Sequence, residues 1–340
     1  MRCFAPLLVA VLVLRGLAAH AAPPVIAVVA DNDGTETTDF LIPFGVLSRS
    51  GVAEVVAVAL REGAVALHPG LQVEVGESIA SFDRRHPDGA AFVIVPAMMN
   101  PESPALLAWL RAQAARGATL VSICDGAWVL AYAGLLDGHE ATAHWDSLDE
   151  LPAKFPKVQW VRDLRWVDTG RIITTTGVSA SIPASLALIE RIAGRERAAD
   201  VAASLAEPAW STAHDTSAFG LDATRIQTAA TNWLAFWRHE RVGIPIADGV
   251  DEISLGLAAD AFARTWRAEP VPLAASKRVA TRYGLLVAAR GGPVDRRYEL
   301  PPTEPFAAPP IDQVLADITT HYGGDTADFV AVQLEYSGRR

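Results

Sequence analysis

One cysteine stands among small and apolar residues in the run Val121-Ser122-Ile123-Cys124-Asp125-Gly126-Ala127-Trp128. The apolar lead-in, and a stretch over 128–133 closed by Gly134, read as a strand handing a thiol to a sharp turn from which a helix departs. A thiol there lies beside helix N–H groups, whose partial positive charge favours the thiolate, the form that attacks electrophilic carbon and that oxidants modify. A second reading stands beside this one: a buried structural cysteine, since free Cys is among the most buried residue types. Two other arrangements fail on spacing. His139-Glu140 with His144 is not the i, i+4 pair of a zinc-binding helix. Asp31-Asn32-Asp33-Gly34 has its glycine too early for a calcium loop, and Ile42 stands where the bidentate Glu belongs. No metal and no organic cofactor is expected.

The elements that must position this turn alternate along the chain. Apolar runs over 25–29, 55–59, 92–95 and 120–123 read as buried strands, and 40–49, 104–116 and 182–193 as helices between or after them. Such alternation predicts a parallel sheet with helices on both faces, and in that architecture ligands bind beyond the C-terminal strand ends, where Cys124 lies. Residues 166–177 read as a strand pair turning at Asp168-Thr169-Gly170. Residues 195–240 read as largely helical, and Trp233, Phe236 and Trp237 at helical spacing are expected in a core or an interface.

Before the first strand come a basic start, Met1-Arg2, an apolar run over 7–14, and Ala19-His20-Ala21, which together read as a secretory signal peptide over 1–21. An uncleaved N-terminal anchor is the other reading. Cleavage would remove Cys3 and leave Cys124 as the sole cysteine of two, so no internal disulfide could form. A periplasmic or secreted protein is expected, and an unpaired thiol in an oxidising compartment must be buried or used. The net charge of -10, with no clustered Lys and Arg, argues against a nucleic-acid partner. No further apolar stretch approaches the length of a membrane span.

Past Pro245 the chain begins to repeat itself. Residues 248–255 match 33–40, residues 279–287 match 65–73 at nearly the same offset, and 327–332 match 90–95. A degenerate copy of the first half of the domain is expected over 245–340, after a helical connector over 199–244. Chance similarity between two α/β segments is the alternative. The copy would stop before any counterpart of the Cys124 turn and would pack on the first domain or occupy the surface of a homodimer.

These residues resemble the ThiJ/PfpI family of the class I glutamine amidotransferase-like superfamily. The likeness is carried by 38–51, by the Cys124 turn, by Ala133-Gly134-Leu135-Leu136-Asp137-Gly138, by Ala141-Thr142-Ala143-His144-Trp145, and by Gly177-Val178-Ser179-Ala180. It covers about 25–194, and the run 124–145 is similar in particular to isonitrile hydratases and to the amidase-like domain of AraC-type regulators, whose helix-turn-helix domain is not expected here. The resemblance implies a flavodoxin-like three-layer α/β sandwich over 22–198, with Cys124 as the elbow cysteine and Asp39 as the acid facing its sulfur. From sequence alone Asp39 is equally a helix N-cap. His144 has either a role in the site or a structural hydrogen bond.

Family proteases place a His directly after the nucleophile, where this chain has Asp125, so a peptidase is not expected. Isonitrile hydratases have Thr there. Asp125 either holds the turn or serves as a second acid, and its charge would oppose thiol ionisation. Asp125, Gly126, Gly177 and Ser179 are expected to shape a pocket for a small-molecule substrate or ligand. The expected activity is cysteine-dependent hydrolysis or hydration, with backbone N–H groups after the turn stabilising the developing anion. The alternative is a non-catalytic ligand-binding or redox-sensing protein. Ser254, the counterpart of Asp39, should leave the second copy inert.

Overall fold

Six short strands carry the elbow. Val25–Ala30 is flanked in parallel by Glu54–Ala59 on one side and Phe92–Val95 on the other, and the sheet continues through Thr119–Ser122 and Ile172–Thr175 to the antiparallel edge strand Trp166–Asp168. The inner strands read as unbroken apolar runs because helices cover both faces. The computed structural model describes residues 22–207, 210–302 and 305–338. The expected signal peptide over 1–21 lies outside the described residues; among the described residues no helix is long and apolar enough to cross a membrane.

Helix Thr37–Ser50 is the pivot of the molecule. Glu36 caps its N-terminus and Gly51, in the left-handed region at φ 64°, ends it. Nearly every residue of the helix is buried, more than one sheet face can account for. Its second face is covered by helix Glu252–Arg264, which comes from the C-terminal part of the chain. The backbones approach closely, since a Cβ on Gly45 would lie 3.0 Å from Ile253 and one on Gly256 3.3 Å from Leu41. Ion pairs flank the crossing on both sides: Arg49 with Asp251, and Arg264 with Glu36.

That C-terminal part rebuilds the beginning of the domain. Strand Glu240–Pro245 lies parallel to Ala268–Leu273 and to Arg296–Arg297, as Val25–Ala30 lies between Glu54–Ala59 and Phe92–Val95. The hairpins of the two parts merge, and Val287 pairs with Val73 in one five-stranded sheet. Two expectations are corrected. Residues 327–332 are not a strand matching 90–95 but belong to helix Gly324–Gln333; a short apolar run has no decisive period. The strand in the matching place is Arg296–Arg297. The connector of 199–244 is bounded otherwise, because its first residues finish helix Arg195–Ser204 and its last open strand Glu240–Pro245, whose backbone bonds go to its neighbours.

The repeat also skips the elbow rather than stopping before it. Helices Pro310–Tyr322 and Gly324–Gln333 meet at Gly323 (φ 91°, ψ 162°), as Ser181–Ala193 and Arg195–Ser204 meet at Gly194 (φ 86°, ψ 166°). One residue past each pair's C-cap stands a left-handed non-glycine, Glu335 (φ 53°) and Ala206 (φ 54°). Trp233, Phe236 and Trp237 are not core: they are 64–74% exposed, the first near the end of helix Ala223–Leu234 and the other two in the turn just after it.

Candidate active site

Strand Thr119–Ser122 is buried throughout and delivers Cys124 in the left-handed region at φ 53°, a strained conformation for a residue with a Cβ. The neighbouring strand end pins it: the Cys124 N–H donates to Thr176 O at 3.1 Å and to Thr175 Oγ1 at 3.2 Å. Helix Gly126–Tyr132 starts at once. Gly126 is there for space, since a Cβ would sit 2.0 Å from Val95 O.

Asp39 lies in the first turn of helix Thr37–Ser50 and is fully buried. It is not the N-cap; Glu36 is, accepting the Asp39 N–H. Asp39 Oδ2 accepts the Ala97 N–H at 3.1 Å, whereas Oδ1 has no hydrogen-bond partner among the described residues. Burial, reinforced by Glu36, raises this carboxyl well above the usual carboxylate range, against the pull of the Ala97 N–H and Arg264. The Cys124 thiol is raised as well, first by burial and then by Asp39, Asp125, Glu36 and Glu335.

The turn therefore does not favour a thiolate. Its helix N–H groups are spent locally: Gly126 N–H on Ile123 O, Ala127 N–H on Cys124 O, Trp128 N–H on Asp125 O. These same bonds remove three of the donors expected to stabilise an anion.

Asp125 caps nothing with its side chain. Burial raises its pKa, opposed by His144 and by a hydrogen bond from Ser147. The His144 Nε2 lies 3.2 Å from Gln333 O. Gly177 and Ser179 are engaged by the C-terminal part. The Gly177 N–H donates to Glu335 Oε2 at 2.6 Å, the Ser179 N–H to Leu334 O at 3.1 Å, and Ser179 Oγ to Glu335 O. A Cβ on Gly177 would collide with both Glu335 and His144.

Residue-level reading of the sequence missed five groups that the fold brings here. Glu335 is buried and hydrogen-bonded to His214 Nε2 at 2.8 Å. Arg264 bridges Glu36 at 2.9 Å and Asp260 at 2.8 Å, and burial pushes Asp260 up to about 8 despite that guanidinium. The repeat held a signal for part of this: aligning 251–264 on 36–49 places an acid at each start and an arginine at each end. Among the described residues no group of three or more His, Cys, Asp or Glu side chains is arranged to hold a metal ion.

The DJ-1/PfpI family profile matches residues 25–191. Residues 25–191 are a DJ-1/PfpI family domain. Over 99 residues the chain is 41% identical to the HTH-type transcriptional regulator CdhR of Pseudomonas aeruginosa, a match covering 29% of each. Over another 99-residue match it is 37% identical to the isonitrile hydratase of Pseudomonas putida, covering 28% of this chain and 41% of that protein. The Parkinson disease protein 7 homolog of Danio rerio is 26% identical over 179 residues, 51% of this chain and 92% of that one. The crystal structure of Drosophila melanogaster DJ-1beta superposes with a TM-score of 0.47 and 25% identity, covering 53% of this chain and 96% of that one. The chain therefore spans less than a third of the regulator and less than half of the hydratase. The DJ-1/PfpI domain holds Cys124, Asp39 and Asp125, whereas Arg264 and Glu335 reach the site from outside it.

Proposed function

We propose that the protein is an exported, cysteine-dependent hydratase or hydrolase of small molecules. One observation carries the reading: a fully buried carboxyl, Asp39, whose pKa burial raises and whose Oδ1 accepts no hydrogen bond among the described residues, exerts its field on the thiol at a strained elbow. Cys124 Sγ bonds to an electrophilic carbon. Asp39 gives its proton to the substrate heteroatom and takes the thiol proton in return. Water then adds at that carbon, the C–S bond breaks, and the water's proton restores the thiol; in hydrolysis the protonated heteroatom group leaves before the water enters, so the net change in either case is one water consumed. The identity shared with the isonitrile hydratase supports this class of chemistry. Export rests on 1–21, and the N-terminal sequence of protein taken from the producing cells checks it, a chain still starting at Met1 counting against it.

A second reading, a binding or redox-sensing protein, draws on a different observation: Cys124 is only 7% exposed and its thiol resists ionisation. The pH dependence of Cys124 alkylation, with Asp39→Asn alongside, separates the two when paired with turnover of isonitriles, nitriles, aldehydes and amides. Asp39→Asn labels at lower pH than the wild type under either reading, because an acidic neighbour that raises the thiol is gone. Under the catalytic reading its turnover also falls about 10²- to 10⁴-fold, the usual contribution of a proton-transfer group. A wild type that turns over none of these, with ligand affinity unchanged in Cys124→Ser, would establish the second reading instead.

A further inference from the structure

Beside the elbow, and outside the DJ-1/PfpI domain for most of its lining, lies a cavity of about 430 Å³. Leu221, Ile226, Trp266 and Phe329 form its walls, and His144 and Arg264 stand among its polar lining. Leu221, Ile226 and Trp266 are 46–55% exposed, three of the molecule's exposed large apolar side chains gathered at one concavity. The volume and the mixture of apolar wall with few polar groups suit a small organic ligand.

We infer that this cavity binds a neutral, apolar small molecule of aromatic-ring or alkyl character. Charge balance selects the neutral form. Arg264, the cationic side chain of the lining, is already held by Glu36 and Asp260, so an incoming anion would have to break those pairs. It would also meet the exposed Asp146 carboxylate. A cation would be desolvated against the apolar walls with the Arg264 guanidinium facing it. The cavity adjoins both arms of the site, because His144 acts on Asp125 and Arg264 pairs with the residue that caps the Asp39 helix. Naming this ligand as the substrate's apolar part rests on the catalytic reading above; the cavity as a binding site does not.

The test is fluorescence titration of the full chain with N-phenyl-1-naphthylamine (neutral), 8-anilinonaphthalene-1-sulfonate (its anionic relative) and thioflavin T (cationic). The neutral dye should bind most tightly. Ile226→Glu and Ala230→Trp, both at exposed helix positions lining the cavity, should each weaken it about tenfold or more with unchanged circular dichroism. Tighter binding of either charged dye overturns the inference. So does neutral-dye binding that neither variant weakens, or a concentration-dependent self-association abolished by Ile226→Glu with no dye bound. Cys124→Ser keeps the two claims apart: it should bind the neutral dye like the wild type, so failed turnover with intact binding sinks only the catalytic reading.

Discussion

Asp39 and Cys124 show how burial, rather than residue type, sets what a side chain does. Asp39 keeps its proton in the folded protein well above the pH at which it would lose it in the unfolded chain. Between those two pKa values the native state binds more protons than the unfolded state, so this residue's contribution to stability falls as pH rises through the unfolded pKa near 3.9. Asp39→Asn, which keeps the acceptor for the Ala97 N–H, should therefore melt at higher temperature than the wild type at pH 7. The difference should shrink towards pH 4, and calorimetry across that range checks it. A variant less stable than the wild type at pH 7 would mean the carboxylate is ionised in the fold. Cys124, Asp125 and Gly126 were legible in sequence because a turn this tight demands small residues. The thiolate was not an outcome the sequence could exclude, since burial and the acids Glu36 and Glu335 arrive only with the folded chain.

At the level of elements, the loop after Ile172–Thr175 is fastened from outside its own domain. Glu335 stands at the end of helix Gly324–Gln333 and takes the Gly177 N–H and the His214 ring on opposite oxygens of one buried carboxylate. Replacing it by Ala leaves a buried N–H unmet, at a cost of about 2 kcal/mol or more. Glu335→Gln retains an acceptor for Gly177 and removes the charge. Urea unfolding should show Glu335→Ala clearly destabilised. Cys124 in Glu335→Gln should alkylate at lower pH than in the wild type, because one of the charges opposing ionisation is gone. An alkylation profile unmoved in Glu335→Gln would reduce this residue to a purely structural clamp. The match of 327–332 to 90–95 did not reveal the helix that carries it. Ala327-Asp328-Phe329-Val330-Ala331-Val332 is too short and too evenly apolar to show a period, and Gly323, whose extreme φ makes the joint, gave no sign of which helix pair it served.

The whole molecule is two unequal halves about one crossing of helices Thr37–Ser50 and Glu252–Arg264. Its ion pairs Arg49–Asp251 and Arg264–Glu36 occupy matching places, yet only the second lies by the elbow. Arg49→Met leaves Asp251 buried and uncompensated, a loss of about 3–5 kcal/mol. It should lower the denaturant midpoint while leaving the Cys124 alkylation profile unchanged, whereas Arg264→Met should alter both. Equal effects of the two on the thiol would contradict the asymmetry. Matching stretches at 33–40 and 248–255 made the repetition readable, but not that the halves would clasp. Contacts such as Leu41 on Gly256 and Val73 beside Val287 join residues over two hundred positions apart, and no local pattern encodes them.

Joining unequal halves in one chain has a consequence for how the site can change. In an assembly of two identical chains, every substitution appears twice, once beside the reacting thiol and once wherever symmetry repeats it. Here Arg264 and Arg49 are separate codons, as are Glu335 and Ala206. The half without a thiol is free to be retuned as a wall for the other, one position at a time, with no mirrored penalty.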